Sequence, residues 1–261
     1  MEYSEWFEIY NWIRKLLGIS YEKDVEATLI LAQILKGLKP PLNELSRLIK
    51  RRKIIVFGAG PSLDPVLEDI IKYTDTDLLH RKYTLFAADG VTQALLEYNI
   101  VPHLVTTDLD GDIEALMWAA KKGSLMLIHG HGDNIDKITS IVPIIKKITS
   151  KIIGTTQVKP IPPLQNFGGF TDGDRAVFIS HHFKASKIIM VGMDFGSIVG
   201  RRSKPWLKNN EKAWPAKKIK LDIAFKLISQ LACKEKILIY TVSDTVPQCV
   251  KKVSVKEIHL L

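Results

Sequence analysis

Cysteine is the scarcest reactive residue in this chain, with only Cys233 and Cys249 among 261 residues. Their spacing fits no metal-site pattern and supplies no disulfide framework, so the expectation is a protein of the reducing cytoplasm. Long apolar runs are also missing. None reaches the ~18 residues that a membrane-crossing helix requires, and the opening Met1-Glu2-Tyr3-Ser4-Glu5-Trp6 is acidic where a signal peptide is basic. Neither a membrane partner nor export is therefore expected. Internal repeats and low-complexity tracts are absent, which excludes repeat architectures and biased linkers. No catalytic cysteine or serine nucleophile is recognisable, and the Gly-Lys-Ser/Thr ending of a Walker loop does not occur. That set of absences disfavours covalent catalysis and leaves positioning and charge neutralisation, the two things phosphoryl-type transfer chiefly needs. Acidic residues are the minority, 28 against 37 basic ones, for a net charge of +9. The excess points to polyanionic ligands. Nucleotide phosphates meet that description, and nucleic acid is not the expected partner.

What is present changes texture near residue 52. Residues 1–52 read as an N-terminal helical segment: Trp6, Ile9, Trp12, Ile13, Leu16 and Leu17 keep helical spacing to Gly18. A second helical pattern carries Val25, Leu29, Ala32 and Leu35, and a short one follows Pro40-Pro41. The tryptophans read as core or subunit interface, and a homodimer is one assembly compatible with that. Residues 53–261 read as an α/β catalytic domain. Apolar runs at Ile54–Phe57, Thr84–Ala88, Leu104–Thr106, Leu125–Ile128, Lys151–Gly154, Ile188–Val191 and Ile237–Thr241 alternate with helical patterns. Such alternation predicts βαβ units and a doubly wound, mainly parallel, Rossmann-like sheet.

Polar or glycine-rich segments follow the strands, at the edge where open α/β sheets bind ligands. The third strand leads into Thr106-Thr107-Asp108-Leu109-Asp110-Gly111-Asp112. Carboxylates two apart share a face of an extended chain, and oxygen-only ligands of that kind suit magnesium beside substrate phosphates. Asp112, just before a helical pattern, reads equally as a helix cap. Gly58-Ala59-Gly60-Pro61-Ser62-Leu63 after the first strand offers an anion-binding turn, although Leu63 replaces the third glycine of a dinucleotide fingerprint. Asp89 and Gly90 end the second strand, where an acid can hold a ribose or cap a helix. His129-Gly130-His131-Gly132-Asp133-Asn134 ends the fourth and presents Asp133 as a metal ligand or substrate contact. Asn166-Phe167-Gly168-Gly169-Phe170-Thr171-Asp172-Gly173-Asp174-Arg175 opens a later helix with a ligand-facing loop, and Gly192-Met193-Asp194-Phe195-Gly196 ends the sixth strand. Beyond it, Arg201 to Lys220 holds eight basic residues, one acid, Trp206 and Trp214. A loop of that composition can close over a triphosphate as a lid.

In order and spacing these segments resemble the archaeal 6-hydroxymethyl-7,8-dihydropterin pyrophosphokinase family, from about Lys53 to Tyr240. That family transfers the terminal diphosphate of ATP to a pterin alcohol with magnesium, releasing AMP, in tetrahydromethanopterin or folate-type biosynthesis. Its sheet is similar to the nucleotide domain of thiamine pyrophosphokinases. Their Gly-Asp-Phe-Asp-Ser motif is matched by Thr107-Asp108-Leu109-Asp110-Gly111, except at the first and last positions. Related domains also occur in bacterial motility-associated glycosyltransferase-like proteins. The resemblance implies that Asp108 and Asp110 are catalytic magnesium ligands, with Asp133 a third metal candidate. Substrate or nucleotide contacts are then expected at Gly58, Gly60, Ser62, Asp89, Gly90, Asp112, Asn134, Gly168, Gly169, Thr171, Asp172, Asp174 and Arg175. A dinucleotide-dependent oxidoreductase, resting on the Gly58 turn and Asp89, and a non-catalytic nucleotide- or RNA-binding module, resting on the basic charge, are the readings of other classes.

Overall fold

The short apolar runs become strands covered on both faces, which is why they carry no polar alternation. In the computed structural model, which describes residues 3–258 and 260–261, three helices come first: α1 (Tyr3–Leu17), α2 (Tyr21–Ile34) and α3 (Leu42–Ile49). The alternating part starts with β1 (Lys53–Phe57), α4 (Leu63–Tyr73), α5 (Thr76–Lys82), β2 (Thr84–Ala88), α6 (Val91–Glu97) and β3 (Leu104–Thr107). It continues through α7 (Ile113–Lys121), β4 (Leu125–Gly130), α8 (Ile135–Ile148), β5 (Ile152–Thr156), α9 (Asp172–His182) and β6 (Lys187–Val191). A small antiparallel hairpin of β7 (Ile198–Val199) and β8 (Glu211–Lys212) precedes α10 (Pro215–Lys234), β9 (Leu238–Thr241), β10 (Lys251–Lys252) and α11 (Val255–Ile258).

The main sheet has eight strands in the order β10-β9-β6-β1-β2-β3-β4-β5, every pair parallel. From β1 the chain winds outward to β5, then returns to the opposite side of β1 with β6. The reversal opens a crevice at the carboxyl ends of β1 and β6, the place where such sheets take ligands. Period-two alternation divides the core. Ile55, Phe57, Leu85, Val105, Met126 and Ile189 pack with α2, α4, α6, α7 and α8. Ile54, Val56, Phe86, Leu104, Leu127 and Met190 pack with α1, α3, α9 and α10. The three N-terminal helices thus contribute to both faces. Trp6 is buried and its indole N–H donates to the Gln157 carbonyl at 2.8 Å. Trp12 is partly exposed under the Lys226 ammonium, 4.1 Å from its ring centre.

The expected strands lie within two residues of their anticipated limits, whereas α2 starts and ends three to four residues earlier than its apolar pattern, Val25 to Gly37. The β7–β8 hairpin and α5 were not anticipated, because elements this short carry no readable periodicity. The cysteines require a correction. Cys233, in the last turn of α10, is disulfide-bonded to Cys249 in the loop after β9. A spacing of 16 residues is uninformative until the chain folds back on itself. Among the described residues no helix is long and apolar enough to cross a membrane.

A disulfide closing a loop of this length removes roughly 3 kcal/mol of chain entropy from the unfolded state. The double variant Cys233→Ser/Cys249→Ser is therefore expected to lose about that much unfolding free energy in urea titrations under non-reducing conditions. With reductant present the two proteins should converge.

Candidate active site

Two backbone turns in the left-handed region shape the floor of the cleft. At the end of β2, Asp89 adopts φ 45°, donates its N–H to the Thr106 carbonyl at 2.7 Å, and accepts from the Thr107 hydroxyl. At the end of β3, Leu109 adopts φ 66° and its N–H donates to Thr107 Oγ1 at 2.7 Å. That turn buries Leu109 in the core and leaves Asp108 and Asp110 lining the cleft. The third participant arrives from α9, whose first residue, Asp172, accepts at its carbonyl from the Thr106 hydroxyl at 2.9 Å. Asp89, Asp108 and Asp172 each offer one carboxylate oxygen, and these oxygens lie within 4.8 Å of one another.

Like charges this close repel by roughly 4 kcal/mol per pair at ~4 Å and an effective dielectric of ~20, and the protonation pattern follows. Burial, then the charge of Asp108, pushes Asp89 up to about 7. Burial, Asp108 and Asp89 raise Asp172 well above the ordinary carboxylate range. Burial also acts upward on Asp108, but the hydrogen bond and charge of His131, with Lys204 and Arg175, outweigh it and hold Asp108 ionised. His131 Nε2 faces an Asp108 carboxylate oxygen at 3.6 Å. Asp108 Oδ1 and Asp172 Oδ1 are buried without a hydrogen-bond partner. Converging carboxylates whose oxygens lack hydrogen bonds suit a hard divalent cation.

Of the three expected metal ligands, only Asp108 belongs to this converging group. Asp110 is turned to Lys137 and Lys204, which hold it ionised against burial and the Asp108 charge. Asp133 is exposed at the rim. Several expected substrate contacts are engaged by the protein itself. Asp112 caps α7 by accepting from the Ala115 N–H at 2.7 Å. Asn134 donates to the carbonyls of Asp108 and His129, both at 2.8 Å, and so ties the ends of β3 and β4 together. Asp174 accepts from the N–H groups of Phe170 and Thr171, each at 2.6 Å, and from the Thr171 hydroxyl. Gly168 and Gly169 have φ 81° and 83°, and a Cβ on Gly169 would lie 2.6 Å from the Arg175 Cα. Arg175 is buried in the cleft wall, 3.6 Å from Asp172.

The Gly58 turn behaves similarly. The N–H groups of Gly58 and Gly60 donate to the carbonyls of Val191 and Gly192 at 2.8 and 2.7 Å, and that of Ser62 donates to Asp194 at 2.8 Å. Ser62 Oγ adds a bond to the other Asp194 oxygen at 2.9 Å. The turn therefore lines the cleft while its amides join the ends of β1 and β6. Leu63, in place of a third glycine, is core, and the dinucleotide reading loses its support.

The cleft has a volume of about 360 Å³, within the usual range for small-molecule sites. A strap running from β7 to α10 roofs it with Lys204, Trp206, Trp214, Lys217 and Lys220. Arg201 and Arg202 fasten the strap to Asp64 at 2.8 and 3.1 Å, and Arg202 also forks onto Glu97 at 2.8 and 2.6 Å. Gly90 leaves room for it, since a Cβ there would collide with the Arg202 carbonyl.

The N-terminal segment supplies what sequence reading missed. Ile19 lines the cleft, and Asp24, 1% exposed, accepts from the Tyr10 hydroxyl, the Gly132 N–H and the Gln157 amide at 2.6, 2.7 and 2.6 Å. Gln157 and the loop beside Gly132 are both cleft walls. The available signal was register: Asp24 shares a helical face with Ala27, Thr28 and Leu31, where an acid has no reason to sit unless it is bonded.

Residues 29–200 match the family model described as 6-hydroxymethylpterin diphosphokinase MptE-like. The chain is 42% identical over 236 residues to the 6-hydroxymethyl-7,8-dihydropterin pyrophosphokinase of Pyrococcus furiosus, an alignment covering 88% of this chain and 94% of the relative. It is 39% identical over 244 residues to the protein of the same name from Methanocaldococcus jannaschii, covering 91% and 98%. The equivalent from Methanothermobacter thermautotrophicus is 42% identical over 178 residues, or 68% and 72% of the two chains. Among solved structures, the MAf glycosyltransferase of Magnetospirillum magneticum AMB-1 is similar in fold alone, with a TM-score of 0.51 at 14% identity. That alignment covers 84% of this chain and 39% of the glycosyltransferase.

The raised Asp89 carboxyl has a consequence for stability. Between its ordinary value of 3.8 and about 7 the folded protein keeps a proton that the unfolded chain has released. The associated stability is full below that window and is lost as pH rises through it. In chelating buffer, unfolding free energies of the parent are expected to decline relative to Asp89→Asn across this window, and magnesium at neutral pH should reverse the decline. Parallel pH profiles for the two proteins would refute the coupling.

Proposed function

The chain belongs to the 6-hydroxymethylpterin diphosphokinase MptE-like family, and from that membership and the cleft geometry we propose that it is a 6-hydroxymethyl-7,8-dihydropterin pyrophosphokinase. The reaction moves the terminal diphosphate of ATP to the pterin's hydroxymethyl oxygen and releases AMP, on the way to a tetrahydromethanopterin- or folate-type cofactor. The observation that carries this reading is the converging group of Asp89, Asp108 and Asp172, with two buried oxygens that lack a hydrogen bond, facing a lysine-bearing strap.

Asp108, with Asp89 and Asp172, is the set we assign to magnesium. The donors fit: all are carboxylates, and Asp108 remains ionised in the unligated protein. When bound, magnesium neutralises phosphate charge and orients the nucleotide. The acceptor oxygen bonds to the β-phosphorus while the bond from that phosphorus to the α,β-bridging oxygen breaks in line; AMP departs with the electron pair, and the hydroxyl proton passes to a cleft carboxylate or to solvent. The chain's own residues hold this alignment. Asp110 anchors Lys204 of the strap, His131 keeps Asp108 charged, and the strap limits water at the reacting centre. Trp206 and Trp214 present faces on which a planar heterocycle can stack. A cytoplasm is the proposed compartment, and the Cys233–Cys249 disulfide requires that it let such a bond persist, as the cytoplasm of hyperthermophiles does.

Incubation with ATP, magnesium and 6-hydroxymethyl-7,8-dihydropterin should yield AMP and the pterin diphosphate in equal amounts; ADP as the nucleotide product would exclude the reaction. Asp108→Asn should lower turnover by about 10²- to 10³-fold, as expected when several kcal/mol of charge stabilisation is removed, while its thermal transition stays cooperative.

A further inference from the structure

Ion pairing sorts the eight basic residues between Arg201 and Lys220 into structural and unengaged groups. Arg201 and Arg202 are fastened to Asp64 and Glu97, Lys204 to Asp110, and Lys218 to Asp222. Lys208 and Lys212 are exposed and do not line the cleft. Lys217 and Lys220 are different. Both are half-buried, both line the cleft, and neither makes a hydrogen bond or ion pair with any of the described residues.

Placed three apart on α10, the two share a helix face. Burial, then the charges of Lys204 and Lys220, lower the Lys217 pKa, while Asp108 and Asp172 across the cleft oppose that shift. Holding a cation away from water without a partner is unfavourable. Repulsion from two neighbouring lysines adds to the cost, and an anionic ligand would remove it. Two further features sit in the same place. Trp214, the N-cap of α10, contributes no side-chain acceptor to the first turn, so the positive end of the helix is not capped by a side chain. Arg175, 5% exposed, lines the same cleft with an Nε that has no hydrogen-bond partner.

We propose that Lys217 and Lys220 grip the β- and γ-phosphates of the nucleotide, so that the diphosphate in transit lies between the first turns of α10 and the carboxylates at the ends of β2 and β3. This rests on the pyrophosphokinase reading. The terminal diphosphate carries most of the charge of ATP, and it is the portion that must approach the carboxylate group where the metal would sit. The AMP portion then takes the remainder of the cleft and owes little to these two lysines.

The test compares Lys217→Gln, Lys220→Gln and Lys217→Arg with the parent by calorimetry, using magnesium pyrophosphate and AMP as separate probes. Each glutamine variant should bind magnesium pyrophosphate about 10- to 100-fold more weakly, the range for one charge-assisted contact. AMP affinity should be unchanged, and Lys217→Arg should recover part of the loss. Without ligand, the glutamine variants should melt no lower than the parent, because an unpaired cation has been removed; a lower melting temperature would mark a structural lysine. Unchanged pyrophosphate affinity, or an equal loss for AMP, overturns the assignment. The underlying reading fails separately: ADP formation by the parent sinks the pyrophosphokinase, whereas AMP formation with undiminished pyrophosphate binding in the variants sinks this inference alone.

Discussion

Mutual repulsion among carboxylates in a buried cleft is the constraint around which this molecule is built. Asp89, Asp108 and Asp172 come from three separate elements, yet one oxygen of each falls within 4.8 Å of the others. A parallel sheet forces such a meeting, because every strand delivers its carboxyl end to the same edge. The fold answers with unequal protonation. Asp108 is kept charged by His131, Lys204 and Arg175, whereas Asp89 and Asp172 are pushed toward the protonated form. Lys137 and Lys204 neutralise the neighbouring Asp110. The site is thus charge-poor at its centre and cation-rich around it, the arrangement on which the proposed binding of a metal-bound polyphosphate rests.

Precision at the far side of the cleft comes from outside the alternating domain. Asp24 of α2 gathers donors from α1, from the loop after β4 and from the segment after β5. Thr28, one turn further along α2, meets the Thr156 hydroxyl at 2.6 Å. Buried charge-assisted bonds of this kind are strong and geometrically demanding, so they fix where His131 and Gln157 stand. The N-terminal helices are therefore as much a wall of the cleft as the strand ends are, although Asp24 precedes the residues matched by the family model.

How far the sequence reveals this architecture depends on which physical signal each feature leaves. The strands were legible as short unbroken apolar runs, because both their faces are covered, and the long helices because burial of one face imprints a period on the chain. The converging acids were legible in part. Asp108 was singled out from its position at a strand end; Asp110 and Asp133, named with it, do not join the converging group. Local spacing could not show that Asp110 would turn to Lys137 and Lys204, which approach from 27 and 94 residues away. Nor could it show that Asp172, read as a substrate contact, would close the group from the start of α9. The disulfide escaped for the same reason: pairing between distant residues is a property of the folded path.

The glycines after β1 and β2 show most clearly where local reading and physics part. A glycine in that position has two explanations, an amide left open for an anion or a space left open for another backbone. At Gly58 and Gly60 the amides already bond to the end of β6, and a Cβ on Gly60 would collide with the Asp194 carboxylate. A Cβ on Gly200 of the strap would in turn strike the Ala59 carbonyl, and one on Gly90 would strike that of Arg202. Close packing of backbone on backbone permits little lateral slip. These glycines therefore register the roof against the floor, so that the lysines above meet the carboxylates below at a set separation. In the proposed site anion capture would fall to the side chains of the roof, and the turns that look like phosphate cradles act one step earlier, by fixing where that roof lies.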